Sequence, residues 1–535
     1  MAAERNEPTA SARPKTLSLC LIVRNEAELL PRFLAAAAGL WDDLCVVDTG
    51  SRDNTVAILE AAGARVFHRA WDDDFSAARN AGLDRASGDW VLFLDADEMA
   101  SPELSPQVRA LLDDDDAGAA TLIMRNLLPH GHRRDTPMLR LYRNDPAIRF
   151  SYPIHEDITA AVTRYLARTG RKLRRLGAVV EHLGYVRERA QSREKKSRDM
   201  TLLMRCIERD PTDFYSWFKL LELARFWRDR ALWSEAALSG CRALEAAGPL
   251  ALSDKPYGGE MIVLIADGLH AGDAPPALSF IAGWADLVPP SAALFLRRAE
   301  LHEVAGDAAA AAADFSRCRD LENQTADIQL ATVRPLMGLA RLAIAAGDVA
   351  LAARRVDEAL AGNPRDPEAL LLAVFIARAR GGGAAVGELA ARLRAQHGDS
   401  GELREALGEA ALLAGLGDEA VAHLRQVAGD PPEGRVALRL AQALLASGAV
   451  DDAAALAASL VPSLPEAGLG ILVCNLCRGR DSDLHLDVDP ALADQALRSW
   501  VDVLKVGRPE HLDAFLHHVP AIEQTFPWLP DYIIR

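Results

Sequence analysis

Cysteine, positive charge and long apolar runs are all in short supply in this chain. Its 535 residues include seven cysteines, an odd number without framework spacing, which excludes a disulfide scaffold and fits a reducing, cytoplasmic compartment. One pair, Cys474 and Cys477, forms a CxxC with only His485 close behind it, so two thiols in a helix core are expected there rather than a zinc site. Lys and Arg number 60 against 76 Asp and Glu, a net charge of −16 that repels phosphate backbones and argues against nucleic acid as a general partner. No run approaches the ~18 apolar residues that a membrane-spanning helix needs, and the apolar stretch 369–377 is closed off by Arg378, so the chain is not expected to be membrane-embedded. Residues 1–16 lack the apolar stretch of a secretory signal and are expected to form a disordered lead-in.

What is present is ample core material. Half the residues are hydrophobic and a quarter charged, and the length allows about three or four domains. Residues 17–23, 44–48, 65–68, 90–94 and 121–125 read as strands, and 27–38, 55–62 and 76–86 carry helical spacing. That alternation predicts an α/β domain with a mostly parallel sheet, in which ligands bind beyond the carboxyl ends of the strands.

Beyond residue 200 the strand signal gives way to Ala/Leu-rich helices. Gly-Asp turns end at Asp307, Asp348 and Asp418, and the last two lie 70 residues apart, close to twice the ~34-residue period of tetratricopeptide (TPR) repeats. The expected organisation is an α/β domain over 17–200, TPR-like repeats over 201–465 and a helical cap over 466–535.

The most informative segment is VLFLDADE, residues 91–98. A strand that ends in carboxylates at i and i+2 directs both toward one sheet edge, as a divalent cation bridging two phosphates requires. Asp95 and Asp97 are that pair. Upstream stand LSLCLIVRNEAELLPRFL (17–34), LCVVDTGSRDNT (44–55) and WDDDFSAARN (71–80). In this order and spacing they resemble family 2 glycosyltransferases of the GT-A fold, and more narrowly the bacterial branch fused to TPR repeats. The resemblance is strong over 17–100 and generic in the repeats.

It implies a nucleotide-diphospho-sugar donor held by Asn25, Glu26, Asp48, Arg79, Asn80 and Asp95, with Mg²⁺ or Mn²⁺ on Asp95 and Asp97. From the residues themselves, Asp48 at a strand end can accept hydrogen bonds from a base or ribose, and Thr49, Gly50 and Ser51 make a tight turn. Glu26 equally suits a helix cap, and Asp53 reads as an N-cap. Arg79 presents a fork of donors to a base or diphosphate, with a salt bridge to Asp72, Asp73 or Asp74 as its other reading. Asp74 matches the family pattern, the other two being solvated. The family has a similar arginine-rich strand (138–144) followed by His-Glu, which makes Glu156 or Asp157 the base that takes the acceptor's proton. His155 is either a buried hydrogen-bonding histidine or part of the site. His182 is placed to complete the metal or diphosphate site, or else simply packs at a strand end, with Tyr185 and Arg187 as diphosphate contacts.

Residues 164–198 hold 12 basic residues against Glu181, Glu188 and Glu194, a net +9 that suits a solvated face or the charge of a departing diphosphate. Asp113–Asp116 read as an exposed loop. The leading expectation is a metal-dependent inverting glycosyltransferase whose repeats hold a protein, peptide or glycan acceptor or a partner protein. The alternative is a TPR scaffold with a non-catalytic nucleotide-binding domain. A phosphohydrolase is disfavoured, because its DxD ends the first strand and this one ends the fourth.

Overall fold

In the computed structural model, which describes residues 13–127, 133–183, 189–271, 273–321, 328–480, 489–522 and 525–534, the apolar runs become neighbouring strands. The order is β1 (Leu17–Val23), α1 (Leu30–Ala36), β2 (Asp43–Asp48), α2 (Thr55–Ala61), β3 (Arg65–His68), α3 (Phe75–Leu83), β4 (Trp90–Phe93), β5 (Glu98–Ala100), α4 (Leu104–Leu112), β6 (Ala117–Leu127), β7 (Arg133–Arg143), α5 (Thr159–Thr169) and β8 (Lys172–His182). They build one sheet of order β3-β2-β1-β4-β7-β6-β8-β5.

Strands β1 to β4 are parallel, and β1, β2 and β4 bury both faces, which is why these three read as near-continuous apolar runs, whereas β3 is a partly exposed edge. Leu19, Leu21, Phe33, Leu59, Trp90 and Leu92 form the core on one side, and Cys20, Cys45, Val91, Phe93, Tyr142 and Phe150 that on the other. The expected mostly parallel sheet is mixed beyond β4, because β7 runs antiparallel to both β4 and β6, and β5 antiparallel to β8. Too few residues separate β6 from β7 for a crossover helix, so the two can only pair as a hairpin.

The sheet's amino-terminal edge is fastened by Asp43. Its carboxylate accepts from Ser18 Oγ at 2.6 Å, from Arg65 Nε and Nη2 at 2.8 Å each, and from the Ser87 N–H and hydroxyl at 3.0 and 2.8 Å. Burial works against the charge, yet the Arg65 fork and the Ser18 and Ser87 donors hold the carboxyl well below the usual carboxylate range. Such a depressed group stabilises the fold above its unfolded value of about 4 and loses that contribution as pH falls through the folded one. Asp43→Asn is therefore expected to cost about 2 kcal/mol at pH 7, and less toward pH 2, in urea unfolding. A pH-independent loss would assign the effect to packing instead.

Helices α6 (Arg189–Arg209), α7 (Phe214–Phe226), α8 (Arg230–Ala247), α9 (Gly258–His270) and α10 (Ala274–Trp284) follow. The chain divides into compact units at Met1–Pro289 and Pro290–Arg535, so these five helices belong to the same unit as the sheet.

The second unit holds α11 (Ala292–Val304), α12 (Ala308–Arg319), α13 (Ile328–Ala331), α14 (Val333–Ala345), α15 (Val349–Gly362), α16 (Pro367–His397), α17 (Gly401–Leu413), α18 (Gly417–Leu424), α19 (Gly434–Ser447), α20 (Val450–Leu460), α21 (Gly468–Cys477), α22 (Pro490–Val506), α23 (Pro509–Ile522) and α24 (Leu529–Ile534). The Gly-Asp turns work as paired stop and start signals. Gly306 and Gly347 end their helices at φ +80° and +79°, while Asp307 and Asp348 cap the next ones by accepting from Ala310 N and Leu351 N. In the third turn Gly415 takes the left-handed position and Asp418 lies inside the first turn of α18 instead of capping it.

Among the described residues α16 is the one helix long and apolar enough to cross a membrane by length and composition. It is broken at Gly381–Gly382, and its Leu370, Val374, Leu389 and Leu393 are buried in the unit's core. Cys474 and Cys477 lie buried in α21, where burial pushes both thiols up to about 12. His485 lies outside the described residues.

Candidate functional site

The parallel register sets the carboxyl ends of β1, β2 and β4 side by side, and the loops that leave them are stitched together. Asn25, in a left-handed conformation at φ +56°, donates its N–H to Ser51 Oγ at 2.9 Å and accepts from Arg52 N at 2.8 Å. Glu26 N–H donates to Thr55 Oγ1 at 2.8 Å. Its carbonyl receives Leu29 N and Leu30 N at the start of α1. Asp53 is not an N-cap either. Asn54 holds that position, and Asp53 bridges the loops by accepting from Ala27 N at 3.2 Å and from the Thr55 N–H and hydroxyl at 3.0 and 2.6 Å.

Asp48 is only 3% exposed. Its carboxylate accepts from Gly50 N and Ser51 N and lies 3.3 Å from His68 Nδ1, so it shapes the turn at the end of β2. Gly50 sits at φ +107°, a conformation open to glycine, which lets the backbone turn sharply there.

Arg79 is the centre of the site. It projects from α3, is 7% exposed, and donates through Nε to Glu156 Oε1 at 2.6 Å and through Nη2 to both oxygens of Asp95 at 2.9 and 3.2 Å. Its guanidinium also lies 5.1 Å from the ring centroid of Phe93 and 5.6 Å from that of Phe150. Burial opposes its charge, but Asp95 and Glu156 together hold the guanidinium firmly protonated. Burial likewise opposes the charge of Asp95, and Arg79 and Arg140 pull its carboxyl below the usual range. The salt bridges of Arg79 thus go to the strand end and the His-Glu segment, not to Asp72, Asp73 or Asp74.

Those three aspartates have other tasks. Asp74 caps α3 through Ala77 N, Asp72 pairs with Arg69, and Asp73 pairs with Arg205 rather than being merely solvated. Asn80 clamps the backbone of Phe150, donating to its carbonyl at 3.0 Å and accepting from its N–H at 2.9 Å.

The second carboxylate of the DxD faces a different partner. Asp97 Oδ2 lies 3.4 Å from His182 Nε2, and His182 Nδ1 lies 2.8 Å from Asn126 Oδ1. This contact is built by strand register: β8 pairs with β6 so that His182 stands opposite Asn126, and with β5 so that it also stands opposite Glu98. Burial lowers the basicity of His182, and the hydrogen bond and charge of Asp97 more than restore it, so its net shift is upward.

An imidazole nitrogen and a carboxylate oxygen converging on one point, with the other ring nitrogen fixed by an amide, is a donor set suited to Mn²⁺ or Mg²⁺. Asp95 pairs with Arg79, and its charge also acts on His182, while among the described residues no group of three such side chains gathers closely enough to hold a metal ion.

Glu98 and Arg140 carry no role in the sequence reading. Glu98 is 2% exposed, accepts from Arg140 Nη2 at 2.5 Å and from the Asp95 N–H at 3.0 Å, and so fixes the peptide that aims the DxD. Burial pushes Glu98 up to about 7, with the charge of Asp95 adding to the rise and Arg140 opposing it. Asn126 is the third residue that the sequence reading omits.

Asp157 accepts from Thr159 N at 3.1 Å, and its backbone pairs with that of Ser151. Its carboxylate serves the start of α5. His155 is exposed rather than buried. Tyr185 and Arg187 lie outside the described residues. Two residues of the basic run face the acidic loop. Arg171 and Arg174 lie at the opposite end of β8 from His182, and contact Asp115 O and the Asp114 carboxylate, so the 113–116 loop is paired rather than merely exposed.

The parallel half-sheet gathers its carboxylates, an arginine and a strand-end histidine at its carboxyl edge. Residues 18–167 match the family model of Glycosyl transferase family 2, and a helical region follows the matched segment. A TPR repeat-containing protein of Synechococcus elongatus is 42% identical over 206 residues, 38% of this chain and 51% of that protein. The SPbeta prophage-derived glycosyltransferase SunS of Bacillus subtilis is 31% identical over 90 residues, 16% of this chain and 21% of its own length. The chain thus spans about half the length of the first relative and less of the second. Among solved structures, glucosyl-3-phosphoglycerate synthase from Mycobacterium tuberculosis aligns at a TM-score of 0.28 and 21% identity over 36% of this chain and 80% of that one.

Proposed function

We propose that this chain transfers a glycosyl group, with inversion, from a nucleotide-diphospho-sugar to a protein, peptide or glycan acceptor. The observation that carries the reading is the Asp95–Arg79–Glu156 bridge beside the Asp97–His182 pair, at the carboxyl edge of a family 2 domain. Relatives named as glycosyltransferases over the same kind of segment support it.

Asp97 and His182 would hold Mg²⁺ or Mn²⁺, with Asp95 beside them. When bound, such a cation neutralises the charge that develops on a departing diphosphate. Arg79 holds Asp95 and Glu156 in fixed relation, so the carboxylate that receives the acceptor's proton is anchored to the strand that faces the donor. Of the two candidates for that base, Glu156 shares an arginine with the DxD whereas Asp157 is occupied at α5, which favours Glu156. The helical region is assigned the acceptor or a partner protein.

The test is nucleoside-diphosphate release by the full chain from UDP-, GDP- and dTDP-sugars, with Mn²⁺, Mg²⁺ or EDTA. Release with one donor that EDTA abolishes, and a product of inverted anomeric configuration by NMR, is expected. Binding of nucleotide without turnover under any condition would favour the scaffold reading.

A further inference from the structure

The segment that carries Glu156 is held in a conformation it would not adopt alone. Tyr152 and His155 both have left-handed backbones, at φ +72° and +52°, each of which costs on the order of 1 kcal/mol for a residue with a Cβ. Such strain persists only where the surroundings over-determine it. One side is supplied by α3: Ser76 Oγ donates to Tyr152 O at 2.5 Å, Phe75 N–H to Pro153 O at 2.8 Å, and Asn80 clamps Phe150. Ser151 and Asp157 close the segment with two backbone hydrogen bonds of 2.9 and 3.0 Å.

The other side comes from outside the matched domain. Tyr215, on α7, stacks on the Tyr152 ring at 3.9 Å between centroids and 21° between planes, and its hydroxyl donates to His155 O at 2.8 Å. One side chain therefore touches both strained residues, and the second of them immediately precedes Glu156. Tyr257 meets the Tyr215 ring edge-on at 5.5 Å, and Lys219 Nζ lies 5.3 Å from its centroid, so the ring is itself buttressed. Burial pushes the Tyr215 hydroxyl far above its ordinary range, which keeps it a donor at all working pH values.

We propose that Tyr215 is a positioning residue for Glu156, so that helix α7, which follows the family 2 domain, completes the transferase site. The inference rests on the reading of Glu156 as the base. Losing the hydroxyl alone, in Tyr215→Phe, is expected to lower kcat by about tenfold, as one lost hydrogen bond does. Losing the stack as well, in Tyr215→Leu, is expected to lower it by about a hundredfold, since a small misplacement of a catalytic group has that effect. KM for the donor should stay within about twofold in both, because Tyr215 touches none of the DxD residues.

The experiment measures turnover of the nucleotide-sugar consumed by the wild-type chain, for both variants alone and in a Glu156→Gln background, together with amide hydrogen exchange over residues 148–158. If Tyr215 acts through Glu156, Tyr215→Leu costs nothing further once Glu156 is Gln. Exchange at Ser151 and Asp157 should speed up in Tyr215→Leu while the β1 amides stay protected. Equal losses in both backgrounds, or unchanged exchange over 148–158, overturn the positioning role. A wild-type chain that turns over no nucleotide-sugar overturns the function reading instead, and the exchange measurement still judges the contact.

Discussion

Asp97→Ala is expected to lower metal-dependent turnover by about a thousandfold while the protein stays folded. Asp97 is partly open and pairs with His182 at 3.4 Å, itself partly open, so removing it leaves no buried charge stranded. The loss should appear in kcat and in the affinity for Mn²⁺ together, since both depend on the same oxygen. His182→Ala should follow with about ten- to a hundredfold, and Asn126→Ala with less, because Asn126 acts only by fixing the ring. The check is nucleoside-diphosphate release against Mn²⁺ concentration, with the thermal midpoint as the control on folding. An Asp97→Ala variant that keeps its turnover within fivefold would remove the metal assignment and leave the site resting on Arg79 and Glu156.

The contrast between Asp95 and Asp97 also measures how far the sequence reaches. The DxD was legible because it sits at a strand end, and strand direction alone fixes which sheet edge it occupies. Sequence does not show that Asp95 turns to Arg79 while Asp97 turns to His182, since this depends on β5, a three-residue strand too short to leave a periodic signal. The same strand places Glu98 opposite His182, and the β6–β8 pairing brings in Asn126 from 56 residues away. The density of the basic run along the sequence does not show its partners either: β8 separates Arg171 and Arg174 from His182, and these two meet the acidic loop. Helix α7 reads as generic amphipathic sequence, and only its packing shows what Tyr215 touches.

Arg79→Met should be the most damaging single change in the domain. The guanidinium is nearly buried between Asp95 and Glu156, so methionine fills the space but removes the counter-charge the two carboxylates share, leaving Asp95 only the more distant Arg140 and His182. Breaking a buried pair from one side costs about 3–5 kcal/mol, because the remaining charge stays desolvated. Lysine should not rescue it, since a single ammonium cannot present separate donors to two carboxylates on different elements.

The pH dependence follows from the sign of the shift. In the native protein the Asp95 carboxyl is held low, so its contribution is present above the unfolded value of about 4 and is lost as pH falls through the folded one. In Arg79→Met the same carboxyl is expected to titrate above its unfolded value, and protonation then relieves the repulsion. The stability gap between variant and wild type should therefore be widest near pH 8 and should narrow toward pH 4. Thermal midpoints across that range read it directly, and a gap that is constant with pH would mean that Arg79 serves packing against Phe93 and Phe150 rather than charge. Turnover should be lost at every pH, because both carboxylates lose the group that fixes their separation.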